Sequence, residues 1–109
     1  MKINAYSIFD TAAGAYARPF FTATDSLASR AFCDIASDAN HEVGKHPDDY
    51  ILFKVGLFDD NTGEIHPFTP EKVISGVEAL SLTRNQGIQN LKLFEESVND
   101  NANRQQSEG

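Results

Sequence analysis

The run from His46 to Gly63, HPDDYILFKVGLFDDNTG, constrains this chain most, because it joins a turn, a strand and a hairpin corner in one piece. Ile51, Phe53, Val55 and Leu57 alternate with Tyr50, Leu52, Lys54, Gly56 and Phe58. A period of two sends the first set to one face of a pleated strand and the second to the other. Such a strand is expected near the centre of a sheet. Asp59-Asp60-Asn61-Thr62-Gly63 follows at once. Asp and Asn side chains bond their own backbone there, and glycine takes the positive φ that closes a short hairpin loop.

The rest of the chain groups around this strand. Residues 2–9 are rich in strand formers and stop at Asp10, and Thr11-Ala12-Ala13-Gly14 leads to a second extended piece around 15–22. Pro19 has no N–H to give a ladder, so that piece is an edge or is bulged at Arg18-Pro19. Phe20 and Phe21 point to opposite faces, and at least one of them belongs to the core. Thr24 or Asp25 can cap a helix over 25–39, where Leu27, Ala28, Ala31, Phe32, Ile35 and Ala36 make one apolar stripe. Residues 41–49 read as a polar loop closed by Pro47.

Glu64 to Phe68 is a short partner strand, and Thr69-Pro70-Glu71 has the composition of a helix entry, predicting a second helix over 70–80 lined by Val73, Ile74, Val77 and Leu80. Residues 81–98 form a candidate amphipathic docking segment, with Ile88, Leu91, Phe94 or Leu93, and Val98 near helical spacing; the alternative is a frayed helix packed weakly on its own domain. Residues 99–109 hold too little apolar surface to offset the entropy of ordering and are expected to be a disordered tail. The predicted fold is α+β: one domain over 1–80, two hairpins and two helices in β-β-α-β-β-α order, with a mainly antiparallel sheet.

Nine Lys and Arg against sixteen Asp and Glu give a net charge of -7, which opposes simple electrostatic binding to phosphate backbones or anionic lipid. Between residues 47 and 80 seven acids face two bases, so one side of the domain is expected to meet a basic partner or water. Cys33 is the single cysteine; no internal disulfide is available, and the reading is a small thiol on a helix in a reducing compartment. No apolar run approaches membrane-spanning length.

Candidate chemistry is sparse. His41, His46 and His66 with Asp48, Asp49, Asp59 and Asp60 supply nitrogen and oxygen ligands, but no pair stands at a zinc-type helical spacing, and no metal or other cofactor is expected. The residues 59–64 lack the alternate acids of a calcium loop, and no serine stands in a G-x-S-x-G turn. No catalytic residues are assigned and no enzyme activity is expected. Tyr6, Phe9, Tyr16, Phe20, Phe21, Tyr50, Phe53 and Phe58 lie on strands where bases could stack, yet without interleaved Lys and Arg they read first as core aromatics.

Four pieces carry a family resemblance: the opening MKINAYSIFD; Tyr16-Ala17-Arg18-Pro19-Phe20-Phe21; Ala28-Ser29-Arg30-Ala31-Phe32; and Gly44 to Tyr50 with Val55-Gly56-Leu57-Phe58-Asp59 and Thr62-Gly63. Together they resemble the small nonstructural protein of gokushovirus-type microviruses, single-stranded DNA phages, over about residues 1–68. Pro19, Pro47, Asp48, Asp49, Tyr50, Gly56, Asp59 and Gly63 are the motif residues.

The resemblance implies a protein of the infected bacterial cytoplasm that takes part in the switch to single-stranded genome synthesis or packaging. Its expected partners are phage replication or procapsid proteins; independently of the resemblance, the short edge strands, especially 64–68, offer pairing with a second copy, and the apolar pattern predicts no membrane. The alternative is a single-stranded DNA binding module using sheet aromatics with Arg18, Phe20, Arg30 and Lys45, since members of that family are often labelled DNA-binding.

Overall fold

Every strand of this fold pairs with an antiparallel neighbour, and β4 (Tyr50–Asp59) lies inside the sheet between β1 (Lys2–Asp10) and β5 (Ile65–Ser75). The computed structural model describes residues 1–85. The other elements are β2 (Ala15–Tyr16), β3 (Phe20–Thr22), helix α1 (Asp25–Ala36), a short helix α2 (Glu42–Lys45) and a 3-10 turn at Pro47–Asp49. A further helix, α3, occupies residues 76–85. The α+β class with a mostly antiparallel sheet is as the sequence predicts. The docking segment from residue 86 onward and the tail 99–109 fall outside the described residues.

The sheet order is β2-β1-β4-β5, with β3 pairing β1 on the same side as β2. The second extended piece is thus split in two at residues 17–19, where Pro19 has no N–H for the ladder. Ser7 fills the interruption: its buried hydroxyl donates to the Ala17 carbonyl at 2.6 Å. Both hairpin corners use aspartate. Asp10 accepts from the backbone N–H of Ala12 and Ala13, Asp59 accepts from that of Asn61, and Gly63 closes the second turn with φ 77.

Helix α1 begins where the sequence predicts, with the Thr24 hydroxyl accepting from the Leu27 N–H at 3.2 Å, but it ends at Ala36 rather than 39 because Ser37 caps it. Part of the expected loop 41–49 is the helix α2, capped by His41 Nδ1 accepting from the Val43 N–H.

The helix predicted over 70–80 is displaced. Residues 70–75 belong to β5, and α3 starts at residue 76. Thr69-Pro70-Glu71 is not a helix entry but part of an irregular stretch of β5 opposite the Lys54–Gly56 segment. The helix start is Ser75, whose Oγ accepts from the Glu78 N–H at 3.1 Å and donates to Glu78 Oε1. Gly76 stands where a Cβ would run into the Pro47 carbonyl, so only glycine lets α3 approach the 3-10 turn.

One extra residue in β4, Val55, shifts its register against β1 between Ala5 and Tyr6. Ile51, Phe53, Val55 and Leu57 therefore do not share a face. Beyond the bulge Leu57 pairs with Asn4, on the side of Tyr6, while Gly56 and Phe58 pair with Ala5 and Ile3 on the other side. The helices cover the side of Tyr6, Leu52 and Ile74, where Ala28, Phe32, Ala36, Val43 and Ala79 complete one buried cluster. Full burial of a side chain such as Leu52 or Phe32 contributes about 1.5–3 kcal/mol.

Candidate functional site

The sheet has two faces of different chemistry. On the helix-covered face, Tyr6 donates to Asp25 Oδ1 at 2.5 Å, and Lys54 Nζ lies 3.0 Å from the same oxygen. Burial, then the hydrogen bond to Asp25, push the Tyr6 hydroxyl up to about 12. The Tyr6 hydroxyl and then Lys54 hold the Asp25 carboxyl below its ordinary value. Asp10, Asp59 and Glu71 also lie on this side, by their pairing opposite Tyr50, Lys2 and Lys54.

The opposite face carries no helix among the described residues. Antiparallel partners share a face, so its rows read Tyr16, Phe9, Ile51 and Ser75; Ser7, Phe53 and Lys72; Phe21, Ala5, Gly56 and Pro67; and Ile3, Phe58 and Ile65. Phe9, Tyr16 and Phe53 form an aromatic triad with centroids 4.6–6.1 Å apart, and Phe21 lies 5.6 Å from Phe58. Tyr16 is 46% exposed, Phe21 48% and Ile65 65%, large values for apolar side chains on one face of a sheet. These rows hold one charged residue, Lys72, and no carboxylate. Lys72 is neutralised by Glu78 at 2.5 Å, which with Ser75 keeps the Glu78 carboxyl below its ordinary value.

The candidate DNA-contact residues do not gather. Arg18 is exposed in the break between β2 and β3; Lys45 sits in the last turn of α2, 3.7 Å from Glu42. Arg30 lines a groove between α1 and α3 with Cys33, Leu82 and Thr83. Phe20 faces the helices and stacks on Tyr6 at 5.7 Å, so its ring is part of the interior rather than a platform for bases. Of the strand aromatics, Tyr6, Phe20 and Tyr50 pack with the core, whereas Phe9, Tyr16, Phe21, Phe53 and Phe58 make the helix-free face. The parity of β1 carried that division: Ile3, Ala5, Ser7 and Phe9 alternate with Asn4, Tyr6 and Ile8. Ile65 and Lys72 carried no such signal, because their place depends on the irregular register of β5.

The motif residues serve the turns. Pro47, Asp48 and Asp49 form the 3-10 turn into β4, and the Asp49 carbonyl accepts from Thr11 at both its N–H and its hydroxyl. Gly56 is buried against the His66 carbonyl. Burial, then the charge of Asp34, push the Cys33 thiol up and keep it protonated. His66 Nε2 lies 3.3 Å from Glu64, and among the described residues no group of three or more His, Cys, Asp or Glu is placed to hold a metal ion. No described helix is long and apolar enough to cross a membrane.

No curated protein and no solved structure matches the chain. A family model does match, over residues 3–79, a span that runs from the first strand into α3 and takes in both faces of the sheet. The chain belongs to the family of the Phage ORF5 protein.

Proposed function

We propose that this phage protein is a nonenzymatic accessory factor of the microvirus type, acting in the host cytoplasm by protein contact in the switch to single-stranded genome synthesis or packaging. The observation that carries this reading is the segregation of charge across the sheet. Despite a net charge of -7, the strand rows of the helix-free face contribute no carboxylate of their own, and the Glu78 carboxylate that reaches Lys72 and Ser75 from α3 is paired there, so the molecule offers one acidic exterior and one aromatic surface. Charge-depleted, aromatic-rich surfaces are the composition of protein contact sites, and the acidic exterior suits a basic partner.

The test uses the full chain with the purified phage replication initiator and the procapsid proteins. Binding to one of them that weakens as salt rises is expected. In infected cells, loss of the protein should lower the ratio of single-stranded to duplex viral DNA. No binding at low salt together with an unchanged ratio overturns the proposal.

A second reading, stacking of single-stranded DNA on the sheet, is favoured by one observation. Tyr16 and Phe21, both about half exposed, flank the exposed Arg18. A fluorescence titration with an oligonucleotide at low salt decides it: saturable binding lost in Tyr16→Ala supports stacking, and no binding at high micromolar protein removes it.

A further inference from the structure

We infer that the helix-free face of the sheet is covered by a second copy of this chain, the two sheets meeting face to face across a two-fold axis with the helices outward. The inference rests on the contact reading above and names the occupant of one of its two surfaces.

Three observations single out a second copy. The first is charge. Two chains of -7 repel one another, so a self-contact must lie where unpaired carboxylates are absent; the rows of this face contain none, and the Glu78 carboxylate that reaches them from α3 is held by Lys72 and Ser75. Their single cation, Lys72, already has Glu78 as its counter-charge.

The second is the state of the sheet edges. Addition of a strand needs a run of free N–H groups. The β5 edge contains Pro67 and Pro70, and the opposite edge is broken at residues 17–19, with Pro19 in the gap. Both edges are thereby blunted, including the 64–68 strand through which pairing was expected, and the face is the surface left for an isologous contact.

The third is area. Three strands of nine to eleven residues about 4.8 Å apart, with the short β2 and β3 along one edge, present roughly 500 Å². Two copies together bury about 1,000 Å², the size at which specific interfaces begin. Exposed Tyr16, Phe21 and Ile65 supply aromatic and aliphatic anchors for it.

The test is sedimentation equilibrium of the full chain from low micromolar to several hundred micromolar concentration. A species of twice the 12.0 kDa chain mass is expected, and its dissociation constant should fall as salt rises, because screening removes repulsion between like-charged copies. Phe21→Glu should weaken the dimer at least about tenfold by burying a charge in the contact. Ile65→Lys, at a side chain that makes little contribution to its own fold, should do the same and covers the case in which Phe21→Glu fails to fold. A monomer at every concentration overturns the inference, as does a dimer unchanged by Ile65→Lys. Self-association is read on purified protein and the contact role on phage partners, so either can fail alone.

Discussion

Tyr6 and Asp25 tie the interior strand β1 to the first turn of α1: the buried phenol donates to Asp25 Oδ1 at 2.5 Å, and Asn4 Nδ2 donates in turn to the phenol oxygen at 3.0 Å. Lys54 completes the set from β4, so three elements converge on one carboxylate. Removing the donor alone should be costly, since a hydrogen bond to an ionised group contributes about 1.5–3 kcal/mol. Tyr6→Phe is expected to lower unfolding stability by about 1–2 kcal/mol, read as a lower urea midpoint at unchanged slope. In a double-mutant cycle with Lys54→Met, the two losses should be non-additive because both partners act on Asp25.

The same cluster contributes to the pH dependence of stability at both ends. The Asp25 carboxyl lies below its ordinary value in the folded chain, so its contribution is complete above the unfolded carboxylate value and is lost as pH falls through the folded one. At the alkaline end the sign reverses. Tyr6 is raised from 10.0 to about 12 by burial and by Asp25, so the unfolded chain loses its proton first. Stability present below pH 10 should decline between about pH 10 and 12. Thermal melts across both ranges check this, and Tyr6→Phe should flatten the Tyr6 share of the alkaline loss.

Gly76→Ala should destabilise the fold although alanine is the better helix former. The added Cβ meets the Pro47 backbone, which cannot swing aside as a flexible side chain would. A loss of about 1–3 kcal/mol in chemical denaturation is expected; an unchanged or higher midpoint would contradict the close approach of α3 to the 3-10 turn.

Ser75→Ala removes the cap of α3 and one of the hydrogen bonds that hold Glu78. The expected loss is about 0.5–2 kcal/mol. Ser75→Asp should restore most of it at neutral pH, because a carboxylate at that position also accepts the N–H of Glu78, and the rescue should fade as the pH is lowered.

Much of the fold was legible in the chain. The strand at 50–58, the aspartate corner at 59–63, a helix cap at Thr24 or Asp25 and an irregularity at Arg18-Pro19 follow from local rules that need no partner: alternation, Asx turns, a side-chain oxygen at a helix start and a missing N–H. The second helix was misplaced because two start signals compete. Thr69-Pro70-Glu71 and Ser75-Gly76-Val77-Glu78 both resemble helix entries, and pairing of residues 71–75 with β4 removes the first from contention. Of the candidate DNA-contact residues, Phe20 went to the interior with Tyr6, while Arg18, Arg30 and Lys45 stayed apart on three elements.

Sequence by itself determined which residues alternate, where the turns fall and that the chain is acidic, because those properties depend on near neighbours and on composition. Tertiary structure decided which side of the sheet the helices cover. The Val55 bulge exchanges the faces of Leu57 and Phe58, and the packing of Phe32 and Ala28 against Tyr6 and Leu52 then leaves Tyr16, Phe21 and Ile65 on the open one. A one-residue slip reverses the facing of everything after it, and the cross-strand register that fixes such a slip joins residues some fifty positions apart, such as Ala5 and Gly56.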